Sequence, residues 1–361
     1  MTFEEARAQF PVLERLAYLN AGSMGPLSRA TGEALAEGLR FDVEEGRAGR
    51  AYFERMLELR EGVRGRLAEL LAVPPERMAL ASSTSSGCNV VLGGLELGPE
   101  DEIVTTDAEH PGLLLPLAVS GARVVVAPVT TRPAGEAVET ILAAVGPRTR
   151  LIALSHVPWT TGQIIPVEAI KEATKLPLLV DGAQSVGAIP VDAGAADFYT
   201  VSCQKWLCGP DPLGGLYIAD PESLRLSSPT YFSQESLEVD GSFVPKEGAK
   251  RFDTGWLAPP SLAGLVAALE AAPEWRFERG RELAERCRER LLEAGFAVRT
   301  EPGQAGLVTF EPREGDPEAA ATKALEAGVA IRALPKTPWI RASCGYWTSD
   351  EDLDRLVAAL A

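Results

Sequence analysis

Residues 176–218 read LPLLVDGAQSVGAIPVDAGAADFYTVSCQKWLCGPDPLGGLYI, and this stretch decides the fold. Apolar runs of strand length at 178–181, 197–202 and 215–219 are separated by turns rich in Gly, Pro and small residues. The first run ends on Asp181, with Gln184 just beyond it. The second ends on Ser202, followed by Gln204 and Lys205. In open α/β sheets ligands lie at the carboxyl ends of the strands, so these side chains are placed to share a site. Asp181 alone could equally be a helix N-cap, and Lys205 alone a surface lysine beside a turn.

A lysine that closes a buried strand and precedes Trp206 and Leu207 is not an ordinary solvated one. Partial desolvation lowers an amine's pKa and frees it for imine formation. A carboxylate at a neighbouring strand end can hold a protonated heterocyclic nitrogen, and a pyridinium held in this way is an electron sink. Asp181 stands 24 residues before Lys205, and the two together say more than either does separately.

Outward from this stretch, strand-like runs at 78–82, 102–105, 122–127 and 151–155 are interleaved with helical patterns at 111–117, 134–145 and 166–174. Such alternation predicts an α/β domain with a largely parallel sheet, whose strands read as continuous apolar runs because both faces are covered. Ahead of it come a short amphipathic helix at 3–10, a turn-rich loop YLNAGSMGP at 18–26, and a helical stretch at 28–71 broken near Gly46–Gly49. After residue 220 the pattern changes. A polar excursion at 221–250 leads to helices at 261–271, 278–294, 317–327 and 349–360, with strand-like pieces at 307–311, 329–332 and 340–343. This predicts a smaller α+β C-terminal domain.

The chain has 361 residues, 46% hydrophobic, enough for two packed domains. A net charge of −16 disfavours nucleic acid and anionic membrane surfaces as partners. The five cysteines are scattered, with no CxxC pair, which argues against a disulfide framework or a metal site. The opening residues do not read as a signal peptide, and no apolar run is long enough to span a membrane, so a cytoplasmic location is expected. No GxGxxG follows the first strand, which disfavours a nicotinamide dehydrogenase.

A further segment, SSTSSGCNVV, offers Thr84, Ser85 and Ser86 where a helix begins. A helix N-terminus favours an anion such as phosphate, and a simple Ser-rich cap is the plainer reading. His110 and His156 both follow strand ends; His110 could stack on a flat cofactor or move protons. Arg341 ends a short C-terminal strand, and Arg is the usual clamp for a carboxylate, although a surface ion pair would use it equally.

Taken together, YLNAGSMGPLS, DGAQSVG, SCQKW and IRASCGYWTSDEDLDRL resemble the class V aminotransferase family of fold-type I pyridoxal-phosphate enzymes, which includes the cysteine desulfurases. The resemblance covers nearly the whole chain. It implies a seven-stranded, mainly parallel sheet in a large domain at 16–250, with a small domain from 1–15 and 251–361. It implies pyridoxal 5'-phosphate held by Lys205 as an imine, with Asp181 on the pyridine nitrogen and Gln184 on the phenolic oxygen. Ser202, Gln204 and the Thr84–Ser86 region would hold the phosphate, His110 would lie over the ring and serve in catalysis, and Arg341, Asn20, Ala21 and His156 would meet a small amino-acid substrate. A homodimer is implied as well.

Within the family, stretches such as LSHVPWTTGQIIPV and RASCGYW are most similar to cystine/cysteine C–S lyases, which carry out β-elimination. An aminotransferase or an epimerase resembling isopenicillin N epimerase is the alternative, with a desulfurase or a non-catalytic binding protein further off. Desulfurases carry a nucleophilic cysteine before the Arg341 strand, whereas GVAIRALPKTPWIRAS has none. They commonly have a histidine where this chain has Gln204, and often two histidines where EHPG has one. Trp256 stands where many relatives have a threonine that reaches the neighbouring subunit's phosphate.

Overall fold

The computed structural model describes residues 1–313 and 315–361. Seven strands form the main sheet: β1 (Met78–Ala81), β2 (Glu102–Thr106), β3 (Arg123–Ala127), β4 (Thr149–Ser155), β5 (Leu178–Asp181), β6 (Phe198–Ser202) and β7 (Gly214–Ile218). Their spatial order is β1-β7-β6-β5-β4-β2-β3. The strands from β3 across to β6 pair in parallel, and β7 runs antiparallel to both of its neighbours. This is the largely parallel α/β sheet the sequence predicts. The reversal at β7 has a local cause: the chain passes from β6 to the adjacent β7 through a short turn-rich connection, with no crossover helix to restore the direction. That connection carries Lys205.

The central strands are buried on both faces, and their side chains alternate between two cores, as a period of two requires. Leu80, Val104, Leu154, Leu178, Val180 and Val201 face one core, where they meet Leu67, Ile141, Ile170, Leu262 and Leu265 from helices. Ala79, Ile103, Ala153, Leu179, Phe198 and Leu216 face the other, packed on Cys88, Val91, Leu113 and Leu117. Helix Thr84–Gly94 lies very close to the sheet. A Cβ on Gly87 would come within 2.9 Å of Thr200 Cγ2, so only glycine lets the first turn of this helix sit against β6.

The C-terminal part forms a three-stranded antiparallel sheet from β8 (Leu307–Phe310), β9 (Arg332–Ala333) and β10 (Ile340–Ser343), in the order β8-β10-β9. It has its own core, including Leu283, Leu291, Val308, Ile340, Leu353 and Leu356. The N-terminal segment joins this body: Ala17 and Leu19 lie in its core, Ala17–Tyr18 pairs with Val329–Ala330, and Asn20 bridges to Ser343. The excursion at 221–250 contains a short exposed hairpin, Gln234–Leu237 against Phe243–Pro245, which its polar composition concealed. Among the described residues no helix is long and apolar enough to cross a membrane.

Candidate active site

Lys205 stands three residues past the end of β6 and is half-buried. Burial pulls its amine down to about 8; the Asp181 carboxylate opposes that drop, and the guanidiniums of Arg341 and Arg332 deepen it. Asp181 is only 2% exposed and closes β5 beside β6. Its Oδ1 accepts a 2.9 Å hydrogen bond from Ala183 N–H. Burial raises its pKa, while the Lys205 charge, the Ala183 N–H and Thr200 act to lower it. The two side chains therefore interact by charge across a low-dielectric pocket, which is neither of the plain readings above: Asp181 caps a turn and still faces the lysine.

Gln184 is fixed at both ends of its amide. Nε2 donates to Gly22 O at 2.8 Å, and Oε1 accepts from Trp206 Nε1 at 2.9 Å. One N–H of Gln184 remains available, because the amide nitrogen carries two. Ser202 Oγ donates to Gln204 Oε1 at 2.8 Å. Helix Thr84–Gly94 is capped by Ser83, whose hydroxyl accepts from Ser86 N–H at 3.1 Å. Ser86 Oγ answers by accepting from Ser83 N–H at 3.2 Å, and it donates to Ser83 O at 2.8 Å. Ser86 is thus committed to the cap. Thr84 and Ser85, in the first turn, are the hydroxyls left for an anion at this positive helix end.

His110 is itself a cap. Its Nδ1 accepts from Gly112 N–H at 3.0 Å at the start of helix Pro111–Ala118, which leaves any ring proton on Nε2. Burial, then the charges of Lys205, Arg332 and Arg341, push its pKa down to about 4, so the ring is neutral at neutral pH. It meets the Trp159 ring edge-on, at 5.2 Å between centroids. His156, assigned above to the substrate, is held from beneath: Nδ1 lies 2.7 Å from Tyr199 Oη, which lies 2.6 Å from Ser185 Oγ. Burial lowers the His156 pKa to about 4.

Arg341 is 1% exposed. Nη1 donates to Trp159 O at 2.7 Å, whereas Nε and Nη2 have no hydrogen-bond partner. Desolvation, reinforced by Arg332, lowers its pKa to about 9. Asn20 Oδ1 accepts from Ser23 Oγ at 2.8 Å, and Ala21 is fully buried beside it. The loop from Asn20 lies against Arg341 so tightly that a Cβ on Gly22 would come within 2.6 Å of Nη2. The same loop reaches the lysine segment, since Gly25 N–H donates to Gln204 O at 2.7 Å.

Three participants were not singled out from sequence. Arg332 pairs directly with Arg341 across β9 and β10. Trp159 has an indole N–H that is buried without a partner. Glu109 is a buried carboxylate that accepts from Thr106 Oγ1 at 2.6 Å and from Ser155 N–H and Oγ at 2.9 and 2.5 Å. The last two each adjoin a histidine or follow one at a strand end, a position that could have flagged them. Arg332 closes the strand-like piece at 329–332 and has no such signal beside it.

The residues present fit a pyridoxal phosphate group by donor type. They supply a buried carboxylate, an amine brought toward neutrality and free hydroxyls at a helix N-terminus. The class V aminotransferase model matches residues 40–356, and the chain belongs to that family of pyridoxal-phosphate-dependent enzymes. Isopenicillin N epimerase from Streptomyces clavuligerus is 30% identical over 99% of this chain and 97% of its own length. Cysteine desulfurase CsdA from Escherichia coli (strain K12) is 27% identical, over 98% and 96%. A structure of the cystine C–S lyase C-DES in complex with its reaction product cysteine persulfide superposes with a TM-score of 0.91 at 31% identity, covering 98% of this chain and 99% of that one. A C-DES mutant with glycine covalently linked to its PLP cofactor gives 0.92, also at 31% identity, over 98% of both chains.

Proposed function

We propose that the protein is a C–S lyase that carries out β-elimination on cystine or a closely related disulfide amino acid. With one water consumed, cystine yields pyruvate, ammonia and cysteine persulfide. The observation that carries this reading is the Arg332–Arg341 pair. Like charges directly opposite on neighbouring strands are destabilising, and here one of them is also fully desolvated. Such a pair is rational where ligand anions supply the missing charge. A substrate with one carboxylate needs one guanidinium, whereas a disulfide of two cysteines brings two carboxylates.

In this reading Asp181, Gln184, Ser202, Gln204, Thr84, Ser85 and His110 would hold the cofactor. When bound, the cofactor would supply an electron sink for the substrate Cα, which would let its C–H bond ionise at neutral pH. Lys205 would take the Cα proton and pass it to the departing sulfur, and its lowered pKa keeps a useful share of the amine uncharged. Arg341 takes the carboxylate next to the reacting carbon and Arg332 the distal one. The neutral His110 adds no positive charge above the site. Sulfur leaves without passing to an enzyme thiol, because all five cysteines are buried and the segment at 328–339 that leads into β10 contains none.

A homodimer belongs to the same proposal. Trp256 (59% exposed) and Tyr231 (63%) stack at 13° beside Phe53 and Phe232, an apolar cluster suited to a partner subunit. So does the two-domain division expected at 16–250 against 1–15 and 251–361, with one shift: Leu262 and Leu265 pack in the sheet core, which favours a seam after Ala271 over one at 250. A cytoplasmic location is proposed on the five reduced thiols.

The test is pyruvate release by the cofactor-loaded protein from cystine and from cysteine. Cystine should be preferred, and Arg332→Met should lower kcat/KM for cystine roughly tenfold or more with little change for cysteine. No pyruvate from any sulfur amino acid would refute the reading. The likeness to isopenicillin N epimerase favours epimerisation as the second reading, which would exchange the Cα hydrogen with solvent deuterium and release no pyruvate.

A further inference from the structure

We propose that Ser23, braced by Asn20, is a positioning residue that sets Arg332 to receive the second carboxylate of the substrate; this rests on the two-carboxylate reading above. The geometry of a four-residue turn carries it. Ser23 N–H donates to Asn20 O at 2.9 Å, and Ser23 Oγ donates its single proton to Asn20 Oδ1 at 2.8 Å. With that proton committed, the hydroxyl presents only lone pairs elsewhere, and Arg332 Nη1 donates to it at 3.0 Å. Asn20 is anchored in turn by its bridge to Ser343, two residues beyond Arg341.

The need for such a brace follows from charge. Arg332 lies opposite Arg341 in strand register, so repulsion drives its flexible side chain away from the site and toward solvent. Among the described residues Arg332 has no carboxylate within salt-bridge distance that would hold it by neutralising it. A neutral oxygen is the appropriate holder. It fixes direction and leaves the positive charge for the ligand, which an aspartate at the same position would cancel. The brace also ties recognition to the cofactor pocket, because the neighbouring Gly22 O accepts from Gln184 Nε2.

The experiment is calorimetric binding of two unreactive probes to the cofactor-loaded enzyme. 3,3'-Dithiodipropionate carries the disulfide and both carboxylates of cystine without its amines, and 3-(methylthio)propionate carries one carboxylate. In the wild type the first should bind more tightly. Ser23→Ala should weaken the first about five- to tenfold, the scale of one charge-assisted hydrogen bond, and leave the second within about twofold. Ser23→Thr, which keeps the hydroxyl, should restore the difference. Equal weakening of both probes would show that Ser23 only shapes the loop and would overturn the proposal, as would unchanged binding of both. Equal affinity of the two probes in the wild type would overturn the two-carboxylate reading itself, and Ser23's role with it.

Discussion

Raising the pH should load the cofactor-free protein with pyridoxal phosphate along a titration curve centred near 8, far below the 10.5 of an ordinary lysine. The uncharged amine is the attacking form. At pH 7.5 a pKa of about 8 leaves roughly a quarter of Lys205 uncharged, against about 0.1% for a solvated lysine, a gain of roughly 200-fold in reactive amine. Two substitutions should move the midpoint in opposite directions. Arg332→Met removes a positive neighbour that disfavours the ammonium, so the midpoint rises. Asp181→Asn removes the carboxylate that favours it, so the midpoint falls. Initial rates of imine formation, followed by the cofactor's absorbance from about pH 6 to about pH 10 at fixed ionic strength, give all three curves. A wild-type midpoint above about 9.5, or both variants moving the same way, would refute the electrostatic account of this lysine.

Gly22→Ala should raise KM for cystine about tenfold while leaving cofactor binding nearly intact, because its Cβ would meet Arg341 Nη2 at 2.6 Å and Leu307 Cδ2 at 2.9 Å; steady-state kinetics check it. Asp253→Ala should cost about 3–5 kcal/mol in urea unfolding, since it strands Arg60 and Arg64, both buried and bonded to Asp253 at 2.8–3.0 Å. Burial pushes the Glu109 carboxyl up to about 7 from 4.5, so its contribution to stability is full below about 4.5 and is lost as pH rises through 7. Glu109→Gln should therefore gain on wild type between pH 5 and pH 8 by up to about 3 kcal/mol, read from urea midpoints of the cofactor-free proteins.

Much of the architecture was legible because the sheet is buried on both faces. All seven strands announce themselves as apolar runs, and Asp181 and Lys205 mark strand ends. The reversed direction of β7 was not legible, since parallel and antiparallel central strands share one composition. The hairpin at 234–245 escaped because its residues are mostly exposed and carry no alternation. Arg332 escaped for a different reason. Its significance lies in facing Arg341 on the next strand, and the register across the 334–339 connection is not set by composition. Ser86 shows the converse: a hydroxyl in the right place by sequence is spent on its own helix cap.

The most direct test of the whole account is to find where the cofactor is attached. Borohydride reduction of the loaded protein, followed by peptide mass analysis, should place the pyridoxyl phosphate mass on the peptide containing Lys205 and on no other. A label on a different lysine, or loading and turnover that survive in Lys205→Ala, would contradict it.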